Sequence, residues 1–167
     1  RVHPCLVKKN TYIGNVNGVM NAVILEGKPV GESVLQGEGA GPGATSSALM
    51  SDLLSILRGN IKYPFGIPSN KRKKVSYYER NNYLNSLYLR LQVKDMPGVL
   101  SSITKTFAKH KISIKNLIQD PDKKNNKASI IIITHENIEK NNINLIANLA
   151  KNKFLLKKPT FIRIEKF

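Results

Sequence analysis

The chain has 167 residues, of which 41% are hydrophobic and 23% charged, with a formal net charge of +16. This composition excludes a disordered chain and is typical of one medium domain or two small ones. The single cysteine excludes an internal disulfide framework, and no apolar run approaches the ~18 residues of a membrane span. We therefore predict a cytoplasmic protein that does not contact a membrane.

The positive charge lies mostly after residue 60, including the run Lys71-Arg72-Lys73-Lys74. A nucleic-acid groove would interleave aromatic side chains with basic ones or carry a known reading motif. Here the neighbours of Lys are mostly Asn and Ile. The pattern favours a basic, solvated surface, and we predict no nucleic-acid partner.

The first 60 residues contain short strand patterns and then one helical pattern. Residues 2–7, 19–25 and 30–35 are apolar or β-branched and predict strands. From Thr45 the apolar residues recur at helical spacing, and the helix should end at Gly59. Its apolar stripe consists of Leu49, Leu53, Ile56 and Leu57.

Alternating glycines, Gly37, Gly39 and Gly41, precede this helix. Glycine tolerates positive φ and lets a ligand approach the backbone closely. The N-terminus of a helix presents unpaired N–H groups and suits an anion. By itself the pattern fits either an anion-binding loop or a tight turn into a packed helix.

Residues 61–84 are predicted to form a linker, interrupted by Pro64 and Pro68. A compact unit follows, with strand patterns at 85–93, 112–118, 128–134 and 157–165 and helices at 99–110 and 138–149. Residues 120–127 predict a polar hairpin loop. The order β-α-β-β-α-β is the ferredoxin-like arrangement, so the fold class is α+β.

The sequence Asp95-Met96-Pro97-Gly98-Val99-Leu100 forms a turn into the first of these helices. Pro97 fixes φ and Gly98 permits close backbone approach. The N–H groups of Val99 and Leu100 could hold the carboxylate of a small amino acid. The three histidines are scattered, and no metal-ligand spacing or catalytic triad is recognisable. We therefore predict neither a metal site nor a catalytic residue within these 167 residues.

Residues 1–68 resemble the C-terminal end of the catalytic core of homoserine dehydrogenase. The resemblance is carried, in order, by residues 15–27, the glycines at 37–41, Met50-Ser51-Asp52-Leu53 and Pro64-Phe65-Gly66-Ile67-Pro68. One departure is Ala44, where many members of the family have Pro. Since the chain begins without Met and in mid-motif, we expect a fragment of a longer polypeptide.

This resemblance implies an enzyme that interconverts L-homoserine and L-aspartate 4-semialdehyde with NAD or NADP. It implies a homo-oligomer, at least a dimer, whose catalytic Lys precedes residue 1, so the fragment alone should be inactive. It also implies that the cofactor lies against the glycine loop. The cofactor-binding residues implied are Gly39, Ala40 and Gly41.

Residues 85–167 resemble an ACT domain, through the sequence at 95–100 and through Ile112-Ser113-Ile114 followed by Gln119. Because the module follows the dehydrogenase segment, the resemblance is to the monofunctional enzyme. It implies feedback by an amino-acid effector, for which we expect L-threonine. The predicted effector-binding residues are Asp95, Met96, Pro97, Gly98, Val99, Leu100 and Asn116.

The predicted domains are therefore residues 1–60, a linker at 61–84 and an ACT domain at 85–167. Two alternatives stay open at the level of sequence. The chain could belong to a non-catalytic, amino-acid-sensing ACT protein, or the ACT module could serve assembly and bind nothing.

Overall fold

The computed structural model describes residues 2–60, 63–122 and 125–166, which form two compact units. Residues 8–76 form one, here called the hairpin–helix unit. Residues 2–7 and 77–166 form the other, the sheet unit. The strands are β1 (Cys5–Leu6), β2 (Met20–Gly27), β3 (Gly31–Glu38), β4 (Leu84–Lys94), β5 (Ile114–Asp122), β6 (Lys127–Thr134), β7 (Asn137–Ile138) and β8 (Thr160–Ile164). The helices are α1 (Pro42–Leu57), α2 (Val99–Lys109) and α3 (Glu139–Leu149).

In the hairpin–helix unit, β2 and β3 pair antiparallel from Met20 opposite Glu38 to Gly27 opposite Gly31. The strand predicted at 19–25 is confirmed, with its end at Gly27. The strand predicted at 30–35 is longer than expected, because the ladder continues to Glu38. Gly37 is therefore a paired strand residue, and the loop proper begins only after Glu38.

Helix α1 begins at Pro42 instead of the predicted Thr45. Proline is well suited to the first helical position, since its φ is already helical and the N–H it lacks would have no intrahelical partner. The end agrees with the prediction: Arg58 is the C-cap and Gly59 follows with φ +75°. Among the described residues, no helix is long and apolar enough to cross a membrane.

The hairpin–helix unit leaves its apolar side chains largely uncovered. None of its described residues is buried. The predicted stripe of α1 is exposed, with Leu49 65% and Leu57 73% accessible. An amphipathic helix is normally stabilised by burying such a stripe. We therefore expect another protein segment to cover the apolar surface of this unit in the assembled protein.

The sheet unit contains the predicted β-α-β-β-α-β order as β4, α2, β5, β6, α3 and β8, with the short β7 added. The strand order is β1-β8-β4-β6-β5, and β7 pairs with the start of β4. Strand β5 extends to Asp122 and β6 begins at Lys127, so the hairpin loop is shorter than predicted. Residues 123–124 of that loop, like residues 61–62 of the predicted linker, lie outside the described residues. The ferredoxin-like fold is confirmed.

The core lies between one face of this sheet and helices α2 and α3. Strand β4 alternates as its sequence predicts, with every second side chain buried. Phe107 of α2 and Leu145 of α3 pack into the same core. The fully buried aliphatic residues from the sheet include Leu87, Leu89, Leu91, Ile130 and Ile132.

The first residues of the chain belong to the sheet unit and not to the segment that follows them. Strand β1 pairs parallel with β8, with Cys5 opposite Arg163 and Leu6 opposite Ile164. The Glu165 N–H donates to the Leu6 carbonyl at 2.9 Å. The strand predicted at 2–7 thus forms only at Cys5–Leu6, where the edge of β8 offers backbone partners. This division of the chain differs from the predicted domain limits, which assigned residues 1–60 to one region.

Candidate functional site

The glycine loop connects the end of β3 to the start of α1 within the hairpin–helix unit. The Gly39 N–H donates to the Val19 carbonyl at 3.2 Å, which extends the strand pairing by one step. Ala40 is exposed, and Gly41 is the N-cap of α1. Thr45 donates to the Gly41 carbonyl with both its N–H (3.2 Å) and its Oγ1 (2.9 Å). The hydroxyl of Thr45 therefore does not cap the free N–H groups at the start of the helix.

Gly41 and Gly39 have different surroundings. Gly41 has φ +103°, which disfavours any side chain, and a Cβ built there would have no atom within 4 Å. Its backbone thus faces open space at the start of a 16-residue helix. A Cβ on Gly39 would instead overlap Nδ2 and Cγ of Asn21 and lie 3.2 Å from its Cβ. The space beside Gly39 is therefore occupied by the Asn21 side chain.

The start of α1 offers hydrogen-bond donors to a ligand. Pro42 has no N–H, and the first intrahelical bond of the backbone is donated by Thr45. The N–H groups of Gly43 and Ala44 therefore have no acceptor within the helix. Together with the partial positive charge of a helix N-terminus, they suit a phosphate or carboxylate group. The open backbone at Gly41 would let such a group come close.

A second candidate site is the turn from β4 into α2 in the sheet unit. Gly98 has φ +87° and is the N-cap of α2. The Val99 N–H donates to the Met96 carbonyl at 3.4 Å, and Ser102 N–H to the Gly98 carbonyl at 3.0 Å. The Val99 N–H is therefore already engaged in the turn, although at a long distance. The sequence alone predicts a free donor at this position.

Asp95 is held from two directions. Its N–H donates to the Asn126 carbonyl at 2.9 Å, and its Oδ1 lies 3.4 Å from Gln119 Nε2. Beside it is an open cleft of about 460 Å³ that carries charges of both signs. The cleft is lined by Lys94, Asp95, Met96, Asn125, Asn126, Lys127 and Leu156. Groups of both signs are what a zwitterionic amino acid needs.

Asn116 lies away from this cleft within one copy of the chain. It is opposite Ile133 of β6, which in turn is opposite Tyr88 of β4. Since strands rise about 3.3 Å per residue, that level is roughly 20 Å along β4 from Asp95. Alternation also places Asn116 on the sheet face away from the helices, because its neighbour Leu117 packs against the core. Gln119, not Asn116, is the β5 residue that reaches Asp95.

The families of the two segments follow from comparison with known proteins. Residues 1–54 match the family model described as homoserine dehydrogenase, and residues 87–153 match that of the ACT domain. A homoserine dehydrogenase of Helicobacter pylori is 34% identical over 99% of this chain, and one of Neisseria gonorrhoeae is also 34% identical over 99%. The chain carries a homoserine dehydrogenase segment followed by an ACT domain.

Comparison with solved structures also finds homoserine dehydrogenases. A homoserine dehydrogenase from Thiobacillus denitrificans is 32% identical and superimposes on 99% of this chain with a TM-score of 0.82. The homoserine dehydrogenase of S. aureus, 20% identical with a TM-score of 0.52, shares the fold. This chain spans 39% of the two curated relatives and 38% of the T. denitrificans chain. The segment that matches homoserine dehydrogenases begins in the sheet unit, because β1 lies within residues 1–54.

Proposed function

We propose that the polypeptide carrying this chain is a homoserine dehydrogenase that interconverts L-homoserine and L-aspartate 4-semialdehyde with NAD or NADP. The observation that carries the proposal is the identity to two homoserine dehydrogenases over 99% of the chain. The geometry of the glycine loop supports it. An open glycine backbone at the N-terminus of a long helix is a surface on which a dinucleotide could lie.

A bound nicotinamide cofactor would supply the hydride acceptor for the oxidation of homoserine, or the hydride donor for the reduction of the aldehyde. The proposed role of this chain is to hold the cofactor. The backbone at Gly41 permits close approach, and the N–H groups of Gly43 and Ala44 are available to an anionic group. The catalytic Lys is proposed to lie in a part of the polypeptide outside these 167 residues.

The experiment compares the whole polypeptide with the 167-residue chain alone. Homoserine-dependent reduction of NAD or NADP is followed by absorbance of the reduced cofactor. We expect turnover with the whole polypeptide and none with the chain alone. Absence of turnover in a folded whole polypeptide would contradict the enzyme assignment. If that polypeptide still bound an amino acid, a non-catalytic amino-acid sensor would become the better description.

The ACT domain is proposed to bind an amino-acid effector, L-threonine, in the cleft beside Asp95. The Asp95 carboxylate would meet the ammonium group, and Lys94 and Lys127 bring positive charge to the same cleft for the carboxylate. The N–H of Leu100, at the start of α2, is a further donor. Binding would inhibit the distant reaction only by favouring a less active state, with a typical coupling of about 1–3 kcal/mol.

Calorimetry tests the effector proposal independently of turnover. Threonine is titrated into the whole polypeptide, with isoleucine, methionine and lysine as comparisons. Heat from threonine at submillimolar concentration would support threonine as the effector. No heat from any of the four at millimolar concentration would leave the ACT domain a structural module.

A homodimer is proposed for two reasons. Val23 and Leu25 of β2 are each about half exposed, as is Val19 just before the strand. The sheet face away from the helices carries the exposed Ile118. Apolar faces of this kind are usually covered in the assembled protein. Sedimentation of the whole polypeptide at micromolar concentration should show at least a dimer, and a monomer would contradict this.

A further inference from the structure

The side chain of Asn21 occupies the space beside the glycine loop. Strand pairing places Asn21 opposite Gly37, and Gly39 lies two residues further along the same strand face. A Cβ on Gly37 would have no atom within 4 Å, whereas one on Gly39 would overlap the Asn21 amide. Asn21 therefore reaches diagonally across the ladder and lies over Gly39.

One carbonyl oxygen joins these two residues. The Val19 carbonyl accepts a hydrogen bond from the Gly39 N–H at 3.2 Å and another from Asn21 Nδ2, also at 3.2 Å. The backbone and the amide thus converge at the last pairing step between β2 and the loop. Beyond that step the chain leaves the ladder through Ala40 and turns at Gly41, with φ +103°.

We propose that Asn21 is a positioning residue that fixes where the glycine loop leaves the sheet, and thereby where Gly41 and the start of α1 lie. Glycine has the most backbone freedom of any residue and no side chain to pack. A strand end built from alternating glycines therefore lacks the cross-strand side-chain contacts that normally hold a ladder together. Asn21 supplies that contact from the opposite strand.

The proposal gives a different explanation for the glycine at position 39. In an anion-binding loop, glycines usually allow the ligand to come close to the backbone. Here the space beside Gly39 is taken by the Asn21 side chain, whereas Gly41 faces open space. The role in cofactor binding rests on the proposed function, but the pairing of Asn21 with Gly39 does not.

A double-mutant cycle distinguishes these reasons. The variants are Asn21→Ala, Gly39→Ala and the two together, made in the whole polypeptide. Asn17→Ala is the matched control, because the Asn17 amide donates to the Asn15 carbonyl at 2.9 Å and not to the loop. The first measurement is the dissociation constant of NADPH, by fluorescence titration. The second is the denaturation midpoint without cofactor, which needs no turnover.

Gly39→Ala should weaken NADPH binding about tenfold, because the added methyl group would overlap the Asn21 amide and displace the loop. Residues in contact usually give non-additive effects in such a cycle. Asn21→Ala should weaken it a fewfold, and the double variant should bind like Asn21→Ala alone, because the clash is then gone. The denaturation midpoints should show the same rescue. If Asn21→Ala rescues neither property of Gly39→Ala, the ligand or another segment needs that space and the proposal is wrong.

The two measurements also separate this inference from the proposed function. A wild-type polypeptide that binds no dinucleotide would overturn the cofactor role, whereas the midpoints would still decide the pairing. NADPH binding combined with additive midpoints would support the cofactor site and overturn the pairing. An effect of Asn17→Ala as large as that of Asn21→Ala would also contradict the specific role of Asn21.

Discussion

Arg163 of β8 forms a bidentate ion pair with Glu139, the first residue of α3, within the sheet unit. Arg163 Nε lies 3.2 Å from each carboxylate oxygen of Glu139, and the guanidinium donates a further bond to Oε1. The Glu139 side chain is fully buried and that of Arg163 is 13% exposed. Asn85 of β4 donates to the same carboxylate at 2.7 Å. The start of α3 is thereby tied to two neighbouring strands.

Removing the cation of this pair should destabilise the protein strongly. Arg163→Met removes the guanidinium that pairs with the buried Glu139 carboxylate, and breaking such a pair costs about 3 kcal/mol. Lys166→Met is the matched control. Its partner is Glu136 at 2.8 Å, but both side chains are largely exposed, so the expected cost is about 0.5 kcal/mol or less. The free energy of unfolding from urea titration of the 167-residue chain measures both.

Equal destabilisation by the two variants would show that the buried pair contributes no more than the exposed one. A large loss of unfolding free energy in Arg163→Met alone would support the packing described here.

The same substitution also tests β1, because Cys5 pairs with Arg163 in the sheet. If β1 is held by backbone bonding, the Arg163→Met variant should keep β1 in place once folded. Amide hydrogen exchange at Glu165 can report this, because the Glu165 N–H donates to the Leu6 carbonyl at 2.9 Å.

The glycine loop gives a second contrast. Gly41→Ala places a side chain at φ +103°, whereas Gly43→Ala adds one at an ordinary helical position with open space around it. The first should cost about 1 kcal/mol or more in unfolding free energy, and the second should be neutral or stabilising by up to about 1 kcal/mol. In the whole polypeptide, Gly41→Ala should also raise the NADPH dissociation constant severalfold. Unchanged binding in a folded Gly41→Ala variant would remove Gly41 from the cofactor site.

Local sequence signals predicted most of the fold, and they predicted that both candidate sites lie at turns into helices. The alternation in β4, the apolar spacing of α2 and α3 and the turn at Gly98 are local patterns, and the structure confirms them. The role of Gly39 could not be predicted, because its neighbour Asn21 is set by strand register. The same holds for Asn116, whose distance from Asp95 depends on the pairing of β5 with β6. Residues joined by long-range pairing leave no signal in one sequence.

The β5 residues provide a test of the effector cleft. Gln119→Leu removes the donor that lies 3.4 Å from Asp95 Oδ1, whereas Asn116→Leu changes a residue on the opposite sheet face. We expect Gln119→Leu to weaken threonine binding about tenfold, because Asp95 loses the contact that orients it. Asn116→Leu should change it less than twofold. The reverse order, measured by calorimetry on the whole polypeptide, would place the effector on the Asn116 face, for example between two copies of the chain.

The last prediction concerns Gly98 and separates backbone strain from effector binding. Gly98→Ala puts a side chain at φ +87°, and Gly59→Ala does the same at φ +75° after α1. Neither Cβ would meet an atom within 4 Å, so both variants should lose about 1 kcal/mol of unfolding free energy through strain alone. Only Gly98→Ala should also weaken threonine binding and relieve inhibition, because the turn that carries Asp95 would shift. Its turnover without threonine should match that of Gly59→Ala. Equal threonine affinity in the two variants would show that the turn at Gly98 takes no part in recognising the effector.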